Sequence, residues 1–267
     1  MTDPQPERPV IDVTRPSIAR VYDALLGGKD NYPVDREVAE RIRTTMPAIR
    51  AQSNREFLGR VVRFLAADAG IRQFVDLGAG LPTMENTHQV AQRHQPGAGV
   101  VYVDNDPVVL AHGDALLVEN DRTAVITADL RDPERVLNHP ETRRLIDFDE
   151  PVAVLLVGIL HHFADEENIK GVVDAYMAAV PSGSHLVISH FWDSGEEART
   201  LEKTFLRFLG SGRFRTQEEI EAYFDGLELL EPGVVPLTRW RPEGPAVVPG
   251  GQPVTTRLMV AGVARKP

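Results

Sequence analysis

The chain has 267 residues, a formal net charge of −10 and 42% hydrophobic residues, a composition typical of a soluble globular protein with a substantial core. Because it contains no cysteine, disulfides, zinc–thiolate sites and cysteine nucleophiles are excluded. The acidic balance disfavours a nucleic-acid partner, since phosphate backbones require clustered Lys and Arg. Residues 1–17 contain no apolar core of the kind a signal peptide needs, and the longest apolar run, residues 151–160, is too short to cross a membrane. We therefore expect a cytoplasmic protein without a membrane partner.

The first quarter of the chain predicts helices. Residues 1–14 are polar and contain several prolines, which predicts a loose arm. The segments that follow repeat their apolar residues at helical spacing. The predicted helices span residues 18–26, 34–42 and 49–69. We expect residues 1–70 to form an arm and a helical cap on residues 71–267, together making one compact unit.

From residue 73 onward, short apolar strands alternate with helices, which is the pattern of βαβ units around a parallel sheet. The predicted strands span residues 74–77, 100–103, 124–127, 152–157 and 185–191. Several helix starts carry recognisable capping residues. The predicted caps are Asp106 and Asp132, each followed by proline, Thr216 with Glu219, and Asp165 before the helix that carries Ile169.

The C-terminus departs from this alternation. Two strands are predicted over residues 227–237 and 255–264, and the connector between them is rich in proline and glycine. Strands joined by a loop without a helix must be antiparallel if they pair directly. We therefore expect an α/β fold with a doubly wound, mostly parallel seven-stranded sheet, an antiparallel C-terminal hairpin and an N-terminal helical cap.

Three successive predicted strands are followed by a glycine turn or by an aspartate. The first strand runs into a glycine turn at residues 76–80, where glycine lets the main chain turn sharply and approach a ligand. Asp104 ends the second strand, where a carboxylate can accept hydrogen bonds from ribose hydroxyls. Asp129 follows the third strand beside the backbone N–H of Leu130, in position for an adenine amino group. The plainer interpretation is a tight turn and two solvated aspartates, but the three features share one sheet edge and together predict a nucleoside ligand.

The same segments resemble the class I S-adenosylmethionine-dependent methyltransferases. The matching stretches are DLGAG at 76–80, VDNDP at 103–107, ADL at 128–130 and LHHF at 160–163. A closer resemblance, to the bacterial S-adenosyl methyltransferase family that was formerly a domain of unknown function, extends over nearly the whole chain. It is carried by RPSIARVYD at 15–23, LGGKDNY at 26–32 and GLPT at 80–83. The resemblance implies S-adenosylmethionine as the cofactor and a Rossmann-like fold.

The resemblance also implies roles for particular residues. The glycine turn would flank the methionine part of the cofactor, Asp104 would hold the ribose and Asp129 the adenine. Residues 27–32 are expected to fold over the site as a lid, and the alternative is a rigid linker between helices. The positions expected to contact the cofactor are Tyr22, Asn31, Tyr32, Asp76, Gly78, Gly80, Asp104, Asn105, Asp129, Leu130 and Gly158.

Two histidines follow the fourth strand. His161 or His162 is a candidate base for a hydroxyl or amine acceptor, and the alternative for both is packing around the cavity. The spacing of histidines suggests no metal site. Methyl transfer from a sulfonium needs mainly alignment and desolvation, so no catalytic triad is expected. The resulting prediction is in-line methyl transfer to an unidentified small-molecule acceptor.

Two other functions stay open at this stage. A nicotinamide-dependent oxidoreductase needs a third glycine or alanine near position 83, and this chain has Leu81-Pro82-Thr83 there. A non-catalytic regulatory protein that binds S-adenosylmethionine would keep the same glycines and aspartates, and fold analogy alone does not separate it from an enzyme. Neither the oligomeric state nor the acceptor follows from the sequence.

Overall fold

A computed structural model describes residues 11–46, 51–82, 85–117, 120–242 and 258–267. Its described strands form one sheet in the order β3-β2-β1-β4-β5-β8-β6, with β7 also paired to β8. The strands are β1 (Gln73–Leu77), β2 (Gly99–Asp104), β3 (Thr123–Thr127), β4 (Ala153–Val157), β5 (His185–Phe191), β6 (Glu228–Leu229), β7 (Val235–Pro236) and β8 (Met259–Arg265).

The first five strands are parallel, and the chain winds outward from the centre in both directions. β1 pairs with β2 on one side and with β4 on the other, and β3 and β5 follow at the flanks. The winding direction therefore reverses between β1 and β4, and in open α/β sheets ligands bind at this point, beyond the carboxyl ends of the strands. The doubly wound, mostly parallel sheet predicted from the sequence is confirmed.

The C-terminal strands are antiparallel, as predicted, but the first of them is divided. β8 runs antiparallel to β5 along seven residue pairs, from 185 with 265 to 191 with 259. The predicted strand over 227–237 is two short strands, β6 and β7, that pair with β8 at different points. Pro232, which has no N–H to donate, and Gly233, at φ +86°, interrupt the ladder between them. Residues 255–257 of the other predicted strand lie outside the described residues.

Helices cover both faces of the sheet. On one face, α3 to α5 pack on the sheet through residues such as Phe57, Val90 and Val109. On the other face, the packing residues come from α6, α8 and α10, with Tyr176 fully buried among them. The helices are α1 (Ile18–Leu26), α2 (Pro33–Thr45), α3 (Ala51–Arg63, continued by a π-helical turn), α4 (Thr87–His94), α5 (Pro107–Leu117), α6 (Pro133–Leu137), α7 (Pro140–Leu145), α8 (Ile169–Ala179), α9 (Glu196–Leu209) and α10 (Gln217–Glu221).

The first two helices sit on the cavity edge of the sheet. α1 has the predicted bounds, and it packs with α2 and α9 in a separate apolar cluster that includes Ile42 and Phe205. A buried ion pair joins the two helices, with Nε of Arg20 3.0 Å from Oδ2 of Asp35. α3, predicted as part of the cap, is instead one of the helices that cover the sheet, because its apolar stripe faces the strands.

Most predicted helix caps are confirmed, with one exception. Asp106, Asp132 and Thr216 accept hydrogen bonds from backbone N–H groups in the first turns of α5, α6 and α10. Asp165 is not the cap of α8, because it begins a short 3-10 turn and α8 begins only after Asn168. The Asp165 carboxylate instead pairs with two arginines that follow α9. None of the described helices has the length and apolar character needed to span a membrane.

Candidate functional site

A cavity of about 720 Å³ opens at the carboxyl ends of β1 to β4, beneath α1 and the residues that precede it. It brings together most of the positions predicted to contact a cofactor. Asn31 and Tyr32 are not among its lining residues. The predicted residues that do line it are Tyr22, Asp76, Gly78, Gly80, Asp104, Asn105, Asp129, Leu130 and Gly158, together with His161 and His162.

The two glycines of the turn after β1 are required for different reasons. Both have positive φ, +73° at Gly78 and +66° at Gly80, which only glycine adopts without strain. A Cβ on Gly78 would lie 2.5 Å from Cγ1 of Ile159, so this position is needed for packing. A Cβ on Gly80 would meet no atom within 4 Å. Gly80 therefore leaves open space beside the main chain at the cavity.

Asp104 fixes the shape of the cavity through two backbone contacts. One carboxylate oxygen accepts from the N–H of Gly80 at 2.8 Å, and the other accepts from the N–H of Asp106 at 2.9 Å. Burial is the largest influence on this carboxyl group and raises its pKa. Asp104 thus ties the glycine turn to the turn after β2, and its oxygens retain lone pairs for a ligand.

Asp106 caps α5 and also holds the N-terminal segment. Its Oδ1 accepts from the N–H of Val108 at 2.9 Å, while its Oδ2 accepts a short hydrogen bond from the hydroxyl of Ser17. Ser17 is itself the N-cap of α1, and its N–H donates to Oδ1 of Asp35 at 3.0 Å. The start of α1 is therefore anchored to the edge of the cavity.

Asp76 is a buried carboxyl group beside the glycine turn. Burial raises its pKa to about 6, against the smaller opposing effects of Thr87, whose hydroxyl donates to Oδ2 at 2.7 Å, and of Arg55. Arg55 also lines the cavity, and its Nη2 lies 3.3 Å from Oδ1 of Asn86. A carboxyl group and a guanidinium thus stand together at this end of the cavity, which suits a zwitterionic ligand.

Asp129 lines the cavity but is already paired. Its carboxylate accepts from Nε and Nη2 of Arg131, at 3.0 and 2.5 Å, and these hydrogen bonds lower its pKa. Arg131 also forms an ion pair with Glu167, with Nη1 2.5 Å from Oε1. Its guanidinium carbon lies over the ring of Phe163, 5.6 Å from the ring centre. The predicted adenine position therefore includes a guanidinium and an aromatic ring that the spacing of the sequence did not indicate.

Residues 27–32, the predicted lid, are held to α1 and α2. The carboxylate of Asp23 accepts from the N–H of Asp30 at 3.0 Å and from Nδ2 of Asn31 at 2.7 Å. Tyr32 starts α2, and the guanidinium of Arg20 lies 5.2 Å from the centre of its ring. These contacts match the alternative of a rigid linker. The segment that covers the cavity is the one before it, from Ile11 to Tyr22.

A chain of hydrogen bonds crosses the middle of the cavity wall. Nδ2 of Asn54 lies 3.3 Å from the hydroxyl of Tyr22, and the hydroxyl of Ser189 donates to Oδ1 of Asn54 at 2.7 Å. A Cβ added to Gly158 would lie 2.8 Å from Nδ2 of Asn54. This chain links α1, α3 and β5 next to Gly158, the position expected to border the cofactor sulfur.

The two candidate histidines lie at the far end of the cavity, where His161 is buried and His162 is partly buried. His161 is only 2% exposed and packs against Phe191 with 4.7 Å between ring centres. Burial is the main reason that the pKa of His161 falls well below its ordinary value and that of His162 falls to about 4. Both imidazoles are therefore neutral at physiological pH. Nδ1 of His162 is 2.9 Å from the hydroxyl of Ser211.

Arg215 holds the loop that carries the two histidines. It is 4% exposed and donates to the carbonyl oxygens of Leu160 and Phe163, at 3.1 Å each. It also donates to Oδ1 of Asp165 at 3.1 Å. Leu160 and Phe163 are the residues immediately before and after the histidine pair, so Arg215 fixes both ends of this short segment.

Sequence reasoning missed several of these residues. Asn54 could have been found, because it is a polar residue on the apolar stripe of α3, in line with Leu58 and Val61. Ser17 carried a weaker signal as a serine at the start of a predicted helix. Arg55 and Arg215 gave no local signal, because their partners lie far away in the chain. Arg131 pairs with Asp129 only two residues away, but that pairing depends on the direction of the side chains, which the sequence does not indicate.

Comparisons with known proteins agree with this architecture. The sequence matches the profile of the S-adenosyl methyltransferase family over residues 4–267. A Thermobifida fusca protein assigned as a methyltransferase is 50% identical, with 96% of each chain covered and a TM-score of 0.92. A DUF574 family protein from Streptomyces avermitilis is 38% identical over 97% of this chain and 100% of that chain, with a TM-score of 0.91.

More distant structures share the fold alone. An O-methyltransferase family protein from Burkholderia thailandensis is 15% identical over 87% of this chain and 59% of that chain, with a TM-score of 0.54. A comparison with curated proteins finds no significant match. The family match over nearly the whole chain excludes the oxidoreductase alternative. The chain belongs to the S-adenosyl methyltransferase family and is an S-adenosylmethionine-dependent methyltransferase.

Proposed function

We propose that the protein transfers the methyl group of S-adenosylmethionine to a small-molecule acceptor that occupies the same cavity. The observation that carries this proposal is the cavity of about 720 Å³, which runs from the glycine turn to His161 and His162. Clefts and cavities of this size are typical of sites that hold small molecules. The arm before α1 covers the cavity, which favours a small acceptor over a macromolecule.

The residues at one end suit the cofactor in charge and space. The open space over Gly80 leaves room for the methionine part beside the main chain. The α-ammonium group would lie near Asp76 and the α-carboxylate near Arg55, so that each charge meets its opposite. Asp104 would accept from the ribose hydroxyls. Asp129 would accept from the adenine amino group with the oxygen lone pairs that Arg131 leaves available.

The protein's own residues then align and desolvate the reacting groups. When bound, the cofactor supplies an already activated methyl group as a sulfonium. Gly158 and the hydrogen-bonded chain through Asn54 would border the sulfur, and the apolar residues beyond them exclude water from the acceptor. Tyr22 and Asn105 complete the walls of the cofactor end. No covalent enzyme intermediate is needed.

The experiment uses S-adenosylmethionine labelled in its methyl group and an extract of the source cells separated into small-molecule, protein and nucleic-acid fractions. We expect label to appear in the small-molecule fraction with the wild-type protein and to decrease with Asp104→Ala. Label that enters only protein or nucleic acid would contradict the proposal. Cofactor binding without label in any fraction would instead favour a regulatory role.

A further inference from the structure

The end of the cavity beyond Gly158 differs in chemistry from the cofactor end. We call it the acceptor lobe, and its lining residues come from α1, α2, α9, the end of β5 and the loop after β4. They are Leu25, Ile42, His161, His162, Phe191 and Phe205. Four of the six are apolar, and the aspartates at or near the ends of β1 to β3 stand toward the opposite end of the cavity. A molecule in this lobe would contact mainly rings and aliphatic groups.

The ring contacts in the lobe favour flat molecules. His162 is stacked on Phe205, with 5.9 Å between ring centres and 6° between planes. Phe191 is stacked on Phe214 at 4.6 Å and meets His161 edge to face at 4.7 Å. Aromatic rings attract one another in stacked and edge-to-face arrangements, so these walls favour an aromatic ligand over an aliphatic one.

The lobe is also uncharged. Burial is the largest influence on both histidines, and it lowers the pKa of His162 to about 4 and that of His161 further below its ordinary value. A charged group brought into the lobe would lose its hydration without finding an opposite charge on the six lining side chains, which costs several kcal/mol or more. The acceptor lobe therefore selects neutral molecules.

One buried polar atom in the lobe lacks a partner. Among the described residues, Nδ1 of His161 has no hydrogen-bond partner, although the side chain is only 2% exposed. Its neighbours differ, because Nδ1 of His162 has Ser211 at 2.9 Å and Nε2 of His190 has Arg215 at 3.1 Å. Unsatisfied buried polar groups are rare in native proteins and point to a missing partner. The ring of His161 lines the cavity, so a ligand hydroxyl that reaches this nitrogen after a small rotation of the ring would supply the partner.

From the neutral aromatic walls and the unpartnered imidazole we infer the class of acceptor, an inference that rests on the proposed function. The acceptor lobe takes an uncharged, flat aromatic compound with a hydroxyl group, and this hydroxyl donates to the imidazole of His161 and is the group methylated. His161 is thereby a catalytic residue, and Arg215 is a positioning residue that fixes the loop around it.

The transfer balances with groups already present. The hydroxyl oxygen forms a bond to the methyl carbon as the bond from that carbon to sulfur breaks, and sulfur keeps the electron pair. The hydroxyl proton passes to the unprotonated ring nitrogen of His161 and then to solvent. An oxygen that is gaining a methyl group becomes strongly acidic, so an imidazole with a lowered pKa is a sufficient base. No oxidant or reductant is required.

The test measures binding to protein saturated with S-adenosylhomocysteine. Three probes of one shape are titrated by calorimetry: 2-naphthol, naphthalene and 2-naphthoate. We expect 2-naphthol to bind about 3- to 10-fold more tightly than naphthalene, the gain from one hydrogen bond, and 2-naphthoate to bind most weakly. In His161→Phe the advantage of 2-naphthol over naphthalene should vanish while S-adenosylhomocysteine affinity is unchanged. With S-adenosylmethionine, mass spectrometry should detect 2-methoxynaphthalene.

The outcomes separate this inference from the proposed function. Failure of 2-naphthol to bind, or equal binding of 2-naphthoate, overturns the inference on the unmodified protein, whatever the stability of the variant. A naphthol advantage that persists in His161→Phe overturns the role of His161. Failure of S-adenosylhomocysteine to bind the wild-type protein would instead contradict the proposed function itself.

Discussion

The guanidinium of Arg215 donates to Nε2 of His190 at 3.1 Å, in the buried layer behind the acceptor lobe. Nδ1 of the same ring lies 2.6 Å from the carbonyl oxygen of Phe191 and must carry the proton, because a carbonyl oxygen only accepts. In His190, Nδ1 therefore donates and Nε2 accepts. A second proton, on Nε2, would face the guanidinium of Arg215. Burial, more than any neighbour, lowers the pKa of His190 to about 3.

The neutral state of His190 predicts that the folded protein loses stability at acidic pH. An unfolded histidine titrates near 6.5, whereas His190 and His162 have pKa values of about 3 and about 4 when folded. As pH falls below about 6.5, the unfolded chain binds protons that the folded protein cannot accept. The free energy of unfolding should therefore fall toward pH 4, by up to about 1.4 kcal/mol per pH unit for each histidine.

Urea unfolding between pH 7 and 4.5 measures this loss. His162→Phe, which keeps a ring against Phe205, should show a shallower pH dependence than the wild-type protein. Asp76 and Asp104, whose pKa values are raised, act in the opposite direction, but they are two groups against five histidines with lowered pKa values. A free energy of unfolding that is constant from pH 7 to pH 5 would contradict the assignment of neutral buried histidines.

Substitutions at two glycines distinguish the effect of backbone strain on stability from the effect of a ligand contact on affinity. Gly80 and Gly27 both have positive φ, +66° and +81°, and a Cβ on either would meet no atom within 4 Å. Each substitution by alanine should therefore lower the free energy of unfolding by roughly 1–2 kcal/mol. Only Gly80→Ala should also weaken S-adenosylmethionine binding, on the order of tenfold, because only Gly80 borders the cavity. Equal affinities in calorimetry of the two variants would show that the cofactor does not approach Gly80.

The parts of the fold that depend on local pattern could be predicted from the sequence. The apolar spacing of α1 gave its exact bounds, and Asp132 and Thr216 cap the helices they precede. The three strand ends with their glycines and aspartates meet at one edge, because a parallel sheet brings the carboxyl ends of its strands together. Each of these features is determined within a few residues.

Features that depend on distant partners could not be predicted. Asp165 has the sequence of a helix cap, yet Arg213 and Arg215 take its carboxylate from about fifty residues away. Asn31 has the chemistry of a ligand contact, but its amide donates to Asp23 and its side chain does not line the cavity. In both cases a local rule was overridden by a tertiary interaction whose partner the sequence pattern does not identify.

Cofactor affinity should depend on the ionisation of Asp76. Its pKa of about 6 in the free protein results mainly from burial, and an adjacent α-ammonium would favour the charged form. Protonation therefore competes with the cofactor, and affinity should fall as pH drops below about 6, by at most about tenfold per pH unit. Calorimetry at pH 7.5, 6.5 and 5.5 measures this dependence.

Asp76→Asn is the control for this effect. It should bind S-adenosylmethionine more weakly at pH 7.5 and lose most of the decline in affinity at low pH. A carboxyl group whose folded pKa is raised stabilises the protein only at low pH, and that contribution is lost as pH rises through about 6. The variant should therefore unfold at higher urea than the wild-type protein at pH 7.5. Unchanged cofactor affinity would remove Asp76 from the site.

The cover of the cavity is predicted to be the segment anchored by Ser17, rather than the linker that contains Asn31. Ser17→Ala removes the hydrogen bond to Asp106 and should weaken cofactor binding by about 1 kcal/mol as the segment loosens. Asn31→Ala removes contacts to Asp23, Gly28 and Arg36, none of which lines the cavity, so affinity should stay unchanged. Hydrogen exchange with and without cofactor should show added protection at 11–22 and little at 27–32. The reverse pattern would restore residues 27–32 as the lid.

The most direct test of the account is calorimetry of S-adenosylmethionine binding to the wild-type protein, to Asp104→Ala and to Asp132→Ala. Asp132 is the matched control, because its carboxylate, like that of Asp104, accepts from a backbone N–H after a strand, but it does not line the cavity. We predict binding by the wild-type protein, a loss of roughly 1.5–3 kcal/mol in Asp104→Ala, and full affinity with about 1 kcal/mol lower stability in Asp132→Ala. Unchanged affinity in Asp104→Ala, or no binding by the wild-type protein, would contradict the account.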